Sequence, residues 1–313
     1  MLNSIKIRNY IRDENYQTNI TKILENSANK LEILSFYGFS FTLTESAIKN
    51  MINLKELYLD IEAKLTSKDL ITLAKNCQLE SLHANILCDD KTNSAFKTFF
   101  EETNGKIKNL KIGQRSYRPN ISPSWTKYLS VCQSLEKIEI QDGPITILKD
   151  LSKLSNLKSL KLYSIGVFES QNLKAQETSH FFKKFDFDTI EDFCIWDMDI
   201  SSENFTILTN RHFPNLNHIC FSGCEKLKFD AGTLKKYISN APKLVSIDMT
   251  DNMIDLTDEQ LYQLMEQSRV EFGVGIEKRQ QFMKYLRYQI PGNAKKYSQN
   301  IGCQLCGFKL LGF

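Results

Sequence analysis

The sequence has 313 residues, of which 42% are hydrophobic and 25% charged, with a formal net charge of +3. This is the composition of an ordinary globular protein, and it excludes a largely disordered chain. No run of 18 apolar residues occurs, and the first residues, MLNSIKIRNYIRDEN, contain no apolar signal segment, so neither a membrane span nor secretion is expected. We therefore expect an intracellular protein, cytoplasmic before nuclear or organellar, whose eight cysteines are reduced.

A short hydrophobic pattern recurs along the chain. It reads a-x-x-a-x-a, where a is an aliphatic or aromatic residue, and each copy predicts one short strand. The spacing between successive copies is 22 to 33 residues and averages about 27, which is typical of a repeat architecture. The ten copies begin at Leu2, Leu31, Leu54, Leu79, Ile107, Leu135, Leu157, Ile190, Leu216 and Leu244.

Helical patterns lie between the predicted strands. Thr66 and Asp69 have the spacing of a capping box, as do Thr257 and Gln260. Apolar residues follow each box on one helical face. These faces are formed by Leu70, Leu73 and Ala74 in the first case and by Leu261, Leu264 and Met265 in the second. The longest unit, which begins at Leu157, contains FESQNLKAQETSHFFKKFDFD, and we expect its Phe181, Phe182 and Phe185 to pack inward.

The repeated unit resembles the leucine-rich repeat, L-x-x-L-x-L-x-x-N/C-x-L. It appears nearly whole as LNHICFSGCEKL at 216–227 and as LVSIDMTDNMI at 244–254, with Cys224 and Asn252 at the Asn or Cys position. The other copies depart from that pattern, which makes the chain similar to the irregular ribonuclease-inhibitor-like, cysteine-containing subclass. Their residues at this position are Tyr10, Phe39, Glu62, Leu87, Arg115, Gly143, Ile165 and Met198.

The resemblance implies an α/β leucine-rich repeat solenoid of about ten repeats. Such a fold is an open horseshoe with parallel strands on the concave side and helices on the convex side. Residues 1–270 are assigned to the repeat domain, and 271–313 to a C-terminal basic helix and capping segment. The basic helix is interpreted as a solvated helix whose aromatic residues pack on the last repeat, and docking to RNA, anionic lipid or an acidic protein surface is the alternative.

Two cysteine-containing segments raise the question of metal binding. His218, Cys220 and Cys224 lie within seven residues, but the repeat pattern predicts that Cys224 points inward, which would separate it from the other two. Cys303 and Cys306 form a C-x-x-C without a second such pair, and their segment is interpreted as a cover for the last repeat, with a metal or redox role left open. We expect no cofactor and no metal.

No catalytic motif is found in the sequence. It contains no glycine-rich phosphate loop, H-E-x-x-H or G-x-S-x-G. We expect a non-catalytic protein-protein interaction module, a scaffold or structural subunit that binds another protein, and nucleic acid is an unlikely ligand. A substrate-recognition adaptor of a ubiquitin ligase is the alternative, weakened because no F-box of about 40 residues precedes the first predicted strand. Inhibition of a ribonuclease is disfavoured because a basic enzyme calls for a strongly acidic inhibitor.

Strand alternation predicts the binding surface. The third, fifth and seventh positions of each copy should face away from the core. Tyr163 and Trp196 occupy the seventh position of adjacent copies beside Lys161, and Trp and Tyr dominate interface hot spots. We expect this trio to be the centre of the partner contact, unless the loop after Tyr163 folds over both rings and buries them. The same face should also present Tyr58, His83, Lys111 and Glu139.

Overall fold

The computed structural model describes residues 3–8, 14–37, 43–59, 64–86, 91–103, 105–113, 124–166, 170–224, 226–268 and 270–289. The chain divides into two units, residues 1–157 and 158–313. These are the first unit and the second unit.

The first unit alternates strands with helices. Its sheet has the order β1-β2-β3-β5-β6-β7, with β4 paired to β5, and each of the pairings described is parallel. Two 3-10 helices span Ala28–Lys30 and Ser124–Val131. The other elements are β1 (Ser4–Arg8), α1 (Glu14–Ser27), β2 (Ile33–Tyr37), α2 (Glu45–Asn50), β3 (Glu56–Leu59), β4 (Lys64–Leu65), α3 (Ser67–Asn76), β5 (Ser81–Ile86), α4 (Thr92–Glu102), β6 (Asn109–Gly113), β7 (Lys137–Gln141) and α5 (Ile147–Leu151).

The second unit repeats this arrangement. Its main sheet has the order β8-β9-β10-β12-β14, again parallel, and β11 pairs with β13 in a separate two-stranded sheet. Its elements are β8 (Ser159–Tyr163), α6 (Gln171–Lys184), β9 (Asp192–Trp196), α7 (Ser202–Thr209), β10 (His218–Ser222), β11 (Lys228–Asp230), α8 (Ala231–Asn240), β12 (Ser246–Asp248), β13 (Met253–Asp255), α9 (Asp258–Ser268), β14 (Glu271–Gly273) and α10 (Ile276–Gln289).

The hydrophobic pattern explains where the strands lie and which face they bury. A strand begins at the third residue of every predicted copy, and the fourth residues of neighbouring copies are direct register partners, as for Leu34, Leu57 and Leu82. These three side chains are at most 1% exposed, and burying each stabilises the fold by about 1.5–3 kcal/mol. One apolar residue per strand therefore aligns into a continuous buried row, which is how neighbouring repeats cover one another.

The helix starts behave as the sequence predicts. Thr66 and Asp69 form a reciprocal capping box, because Asp69 N–H donates to Thr66 Oγ1 at 3.2 Å and Thr66 N–H donates to Asp69 Oδ2 at 2.9 Å. Thr257 and Gln260 repeat the exchange at 3.1 and 2.9 Å. All six apolar residues predicted for these two helices are buried. Local sequence thus determines where both helices begin and which side faces the core.

The core of the second unit contains a cluster of aromatic residues. Phe181, Phe182 and Phe185 are fully buried, as predicted. The ring of Phe187 continues the contacts from α6 to the sheet, 4.8 Å from Phe185 and 5.4 Å from Phe193 of β9. Such ring pairs contribute about 0.5–1.5 kcal/mol beyond their buried area, so this unit is held by a connected aromatic cluster.

Three described strands of the second unit, β11, β13 and β14, were not predicted, and β14 is the one that joins the main sheet. β14 pairs in parallel with β12, with Ser246 opposite Glu271. Its segment RVEFGV has Phe272 and Val274 at the fourth and sixth positions but Arg269 at the first, so it does not match the pattern used to find the others. The predicted domain boundary after residue 270 remains a prediction.

The C-terminal predictions are only partly covered by the structure. In α10, Phe282 is fully buried and stacks on Tyr285 at 6.2 Å, while Lys278 Nζ lies 2.8 Å from Asp258 Oδ1. Cys303, Cys306 and the proposed capping residues lie outside the described residues. Within the described part of the chain, no helix is long and apolar enough to cross a membrane.

A candidate partner-binding surface on the strands

The third, fifth and seventh residues of each copy lie opposite the buried row, on a side that we call the open face of each unit. Register pairing aligns them into rows. In the first unit Tyr58 lies opposite His83, His83 opposite Lys111, and Lys111 opposite Glu139. In the second unit Lys161 lies opposite Cys194, and Tyr163 opposite Trp196. The predicted site residues therefore occupy the open faces, four in the first unit and three in the second.

Eight short side chains on these faces are buried, between 2% and 8% exposed, despite their outward register. They are Ser35, Ser81, Ser159, Cys194, Cys220, Ser222, Ser246 and Asp248. A short side chain in a parallel sheet is screened by longer ones on either side, as Ser35 is flanked by Lys6 and Tyr58. Sequence alternation predicts the direction of a side chain, whereas its exposure depends on its neighbours.

Tyr163 and Trp196 form the aromatic part of the second unit's open face. Their ring centroids are 5.7 Å apart and the rings are tilted by 56°, a geometry typical of favourable aromatic pairs. Both side chains are partly exposed, and so is Lys161, two residues before Tyr163 on β8. Trp125, in contrast, is fully buried. Residues 167–169 of the loop that follows Tyr163 lie outside the described residues.

The absence of a side chain at Gly223 leaves room for the Trp196 ring. A Cβ atom on Gly223 would lie 3.2 Å from both Cδ1 and Nε1 of Trp196, which is tighter than ordinary packing, so the indole rests against bare backbone. The φ angle of Gly223 is +66°, in the left-handed region that glycine adopts without strain. This one residue therefore serves both the backbone turn and the position of the ring.

Four residues with a left-handed backbone conformation follow β8, β9, β10 and β12 at one end of this face, and we call them the left-handed row. Ser164, Asp197, Gly223 and Asp251 all have φ between 51° and 66° and all follow the seventh position of their copies. The N–H groups of the first three donate to the seventh carbonyl of the next strand, for example Ser164 N to Trp196 O at 2.8 Å. Sequence reasoning missed this row, although short Asp, Ser and Gly residues at that position are the residue types that adopt this conformation most readily.

The open face of the first unit is occupied by contacts among its own side chains. Lys111 Nζ lies 2.5 Å from Glu139 Oε1, and the rings of Tyr58 and His83 meet edge-on at 6.3 Å. Tyr58 also donates a hydrogen bond to Glu56 Oε2 at 2.9 Å. Burial raises the pKa of Tyr58, so this phenol stays protonated and remains a donor at neutral pH.

Cys224 has the inward position that the repeat pattern predicts. It is 1% exposed, and its thiol donates to the carbonyl oxygens of Ser222 at 3.7 Å and Ile195 at 3.9 Å. Burial raises the pKa of this thiol to about 12, which disfavours the thiolate that a zinc ion requires. His218 instead contacts Ser246 Oγ through Nδ1 at 3.0 Å. Across the residues that the structure describes, no group of three His, Cys, Asp or Glu side chains is arranged to hold a metal ion.

A cleft of 240 Å³ lies beside the left-handed row of the second unit. It is lined in part by Lys174, Asp197, Asp199 and Lys226. Lys226 Nζ is 2.8 Å from Asp199. Burial raises the pKa of Asp199, but hydrogen bonds from Lys226 and Gln171 outweigh that effect and hold the pKa below its usual value. The cleft therefore contains an ion pair that is already formed.

The chain is similar to solved structures in its fold but matches no known family in its sequence. No model of a known protein family matches the chain, and no curated protein is similar to it in sequence. A solved structure of the yeast Rad7 and Elc1 complex contains a chain similar over 83% of this chain and 82% of that chain, with a TM-score of 0.51 and 13% identity. A leucine-rich repeat protein of Leptospira interrogans covers 82% of this chain and 71% of its own at 15% identity, but its TM-score of 0.34 carries no weight.

The chain has a leucine-rich repeat fold. The parallel strands within each unit, the buried row of Leu positions and the inward Cys224 together agree with this assignment, and the structural likeness to a chain of the yeast complex supports the fold alone. The predicted α/β fold class is thus confirmed. The leucine-rich repeat supplies the scaffold, and function has to be argued from the side chains on its open faces.

Proposed function

We propose that this leucine-rich repeat chain is a non-catalytic interaction module, a scaffold or structural subunit that binds another protein through the open face of its second unit. The paired rings of Tyr163 and Trp196 are the observation that carries this proposal. A partly exposed indole beside a tyrosine and a lysine has the composition of an interface hot spot. The fold itself presents a row of side chains on rigid strands, which suits recognition of a surface.

The similar chain in the yeast structure belongs to a complex of Rad7 and Elc1, so a chain of this fold can take part in a protein assembly. A substrate-recognition adaptor of a ubiquitin ligase is the alternative, and it is not preferred. Docking of the basic helix to RNA is less well supported, because Lys278 is held by Asp258 and by the carbonyl of Leu256 at 2.7 Å, and Phe282 is buried. These contacts direct part of α10 toward its own unit.

The test compares two substitutions on the two open faces. The full-length chain, its Trp196→Ala variant and its Glu139→Gln variant are used to purify bound proteins, which are identified by mass spectrometry and then measured as purified pairs. We expect Trp196→Ala to weaken binding about 30-fold or more, which corresponds to about 2 kcal/mol. Glu139→Gln should leave the affinity within about threefold. A partner that binds both variants as tightly as the unaltered chain would refute the proposed surface.

A further inference from the structure

The open face of the second unit is acidic as well as aromatic. Among its described residues, the third, fifth and seventh positions carry three carboxylates, Asp192, Asp248 and Glu271, against the single amine of Lys161. Two more carboxylates, those of Asp197 and Asp251, are exposed in the adjoining left-handed row and form the rim of this face. Charge of one sign concentrated on one face attracts ligands of the opposite sign.

The carboxylates on this face differ in their exposure and in the contacts that they already make. Asp248 is 2% exposed and accepts hydrogen bonds from Thr250, at 2.9 Å from the backbone N and 2.6 Å from Oγ1. Its role is to hold the turn. Asp192 is partly exposed and Glu271 exposed, and within the described residues neither forms an ion pair. These two carboxylates therefore remain available to a ligand.

Two lysines that follow β10 already have ion-pair partners. Lys226 lies 2.8 Å from Asp199, and Lys228 lies 2.8 Å from Asp255. Each of these cations is matched by its own carboxylate, so their charges offset one another away from the open face. The open face of the first unit differs, because Lys6, Arg8, Lys111 and Lys137 outnumber Glu56 and Glu139 among its described residues.

Resting on the proposed function, we infer that the partner presents a basic segment to this face, with an arginine side chain stacked on Trp196. A guanidinium group stacks on an indole and pairs with carboxylates through the same planar fork. Trp196 supplies the ring and the neighbouring Asp197 a carboxylate on the rim, while Asp192 and Glu271 can receive further cations. Nucleic acid and anionic membrane surfaces are repelled by the same charges.

Trp196 also provides the readout. The chain has two tryptophans, and the second, Trp125, is fully buried and stacked on Phe96 at 4.4 Å. In the 15N-labelled full-length chain, the two indole N–H signals separate an event on the open face from a general change in structure. The signal of Trp125 is the internal control.

The probes are blocked peptides of equal length in which glycine alternates with arginine, lysine, citrulline or glutamate. Citrulline keeps the shape of arginine without its charge. We expect the arginine peptide to shift the Trp196 signal saturably at low salt, the lysine peptide to shift it less, and the other two to leave it unchanged, because cation–π stacking and ion pairing both require the charge. Equal binding of the citrulline peptide, or binding of the glutamate peptide, contradicts the inference.

Two variants locate the charge effect. Asp192→Asn combined with Glu271→Gln should weaken the arginine peptide by about threefold or more, in line with exposed ion pairs. Glu102→Gln, at the exposed end of α4 in the first unit, should change the affinity by less than about 1.5-fold. No difference between the two variants would overturn the inference. So would a Trp196 shift caused by single-stranded DNA, or a shift with protein concentration alone, which would assign the face to nucleic acid or to a second copy of the chain.

The outcomes also separate this inference from the proposed function. If Trp196→Ala abolishes binding of an identified partner but Asp192→Asn with Glu271→Gln and added salt leave that binding unchanged, the surface is correct and the basic partner is wrong. If Trp196→Ala leaves every partner bound, the proposed surface itself is wrong.

Discussion

The two units place equivalent strand positions on their open faces but leave different groups for a partner. In the first unit, the ion pair of Lys111 with Glu139 and the hydrogen bond from Tyr58 to Glu56 join neighbouring side chains to one another. In the second unit, the rings of Tyr163 and Trp196 meet on the same face as Asp192 and Glu271, which form no ion pair in the described part of the chain. The repeat determines where a side chain points, and the contacts within the face decide what is left to bind.

The largest expected effect contrasts the two tryptophans. Trp125→Ala should reduce the free energy of unfolding by about 3–5 kcal/mol, because Trp125 is fully buried against Phe96. Trp196→Ala should cost about 1 kcal/mol or less, since its ring is partly exposed. Urea denaturation of both variants measures the difference. Equal losses would show that Trp196 belongs to a core, and the distinction between the two faces would be lost.

A second prediction sharpens the link between turn and ring. Gly223→Ala should destabilise the chain by about 1 kcal/mol because of its positive φ, and it should also weaken partner binding by displacing the Trp196 indole. Gly105→Ala is the matched control, because its φ is +74° and nothing lies within 4 Å of a Cβ there. We expect similar stability losses but a binding loss only for Gly223→Ala. Equal affinities for the two variants would mean that the ring position does not matter for binding.

A smaller effect concerns a helix cap of the second unit away from its open face. Asp230 caps α8 by accepting a hydrogen bond from Thr233 N at 2.7 Å, and this bond lowers the pKa of Asp230. Asp230→Ala should cost about 1 kcal/mol at pH 7 without affecting binding. Because the folded-state pKa is depressed, the stabilisation by the ionised cap is present above the unfolded pKa and is lost as pH falls through the folded pKa.

The matched variant Asp230→Asn separates the cap from its charge. Asparagine retains most of the capping hydrogen bond but does not titrate, so its stability relative to Asp230→Ala should not vary with pH. Chemical denaturation between neutral and acidic pH tests this. A constant difference between Asp230 and Asp230→Ala down to low pH would exclude the ionised cap.

The smallest expected effect is that of a chelator. Burial raises the pKa of Cys224 to about 12, as it does for Cys77 and Cys132 in the first unit. The buried thiols of both units therefore stay protonated at neutral pH, and a protonated thiol is a poor zinc ligand. We expect less than stoichiometric zinc in the purified chain and an unchanged melting temperature in EDTA. Unfolding by EDTA would show that a bound metal ion contributes to the stability of the chain.

Sequence periodicity succeeds where one local rule acts many times. The a-x-x-a-x-a copies predict strands because alternation of apolar residues recurs at every repeat, and the boxes at Thr66 and Thr257 predict helix starts from residues three apart. The pattern did not predict β14 because the first position of its copy is Arg269 and not an apolar residue. Phe272 and Val274 nevertheless occupy the buried fourth and sixth positions. The strand forms because pairing with β12 and burial of Phe272 do not require a leucine at the first position.

The sequence by itself determined the class of fold, the direction of the side chains on each strand and the inward position of Cys224, because these follow from the two-residue period of a strand and from residues close in the chain. Only the tertiary structure decided which outward residues are exposed, which charges are already paired, and that Gly223 lies against Trp196. Those properties depend on distances between side chains on neighbouring repeats, and the period of the repeat does not encode such distances.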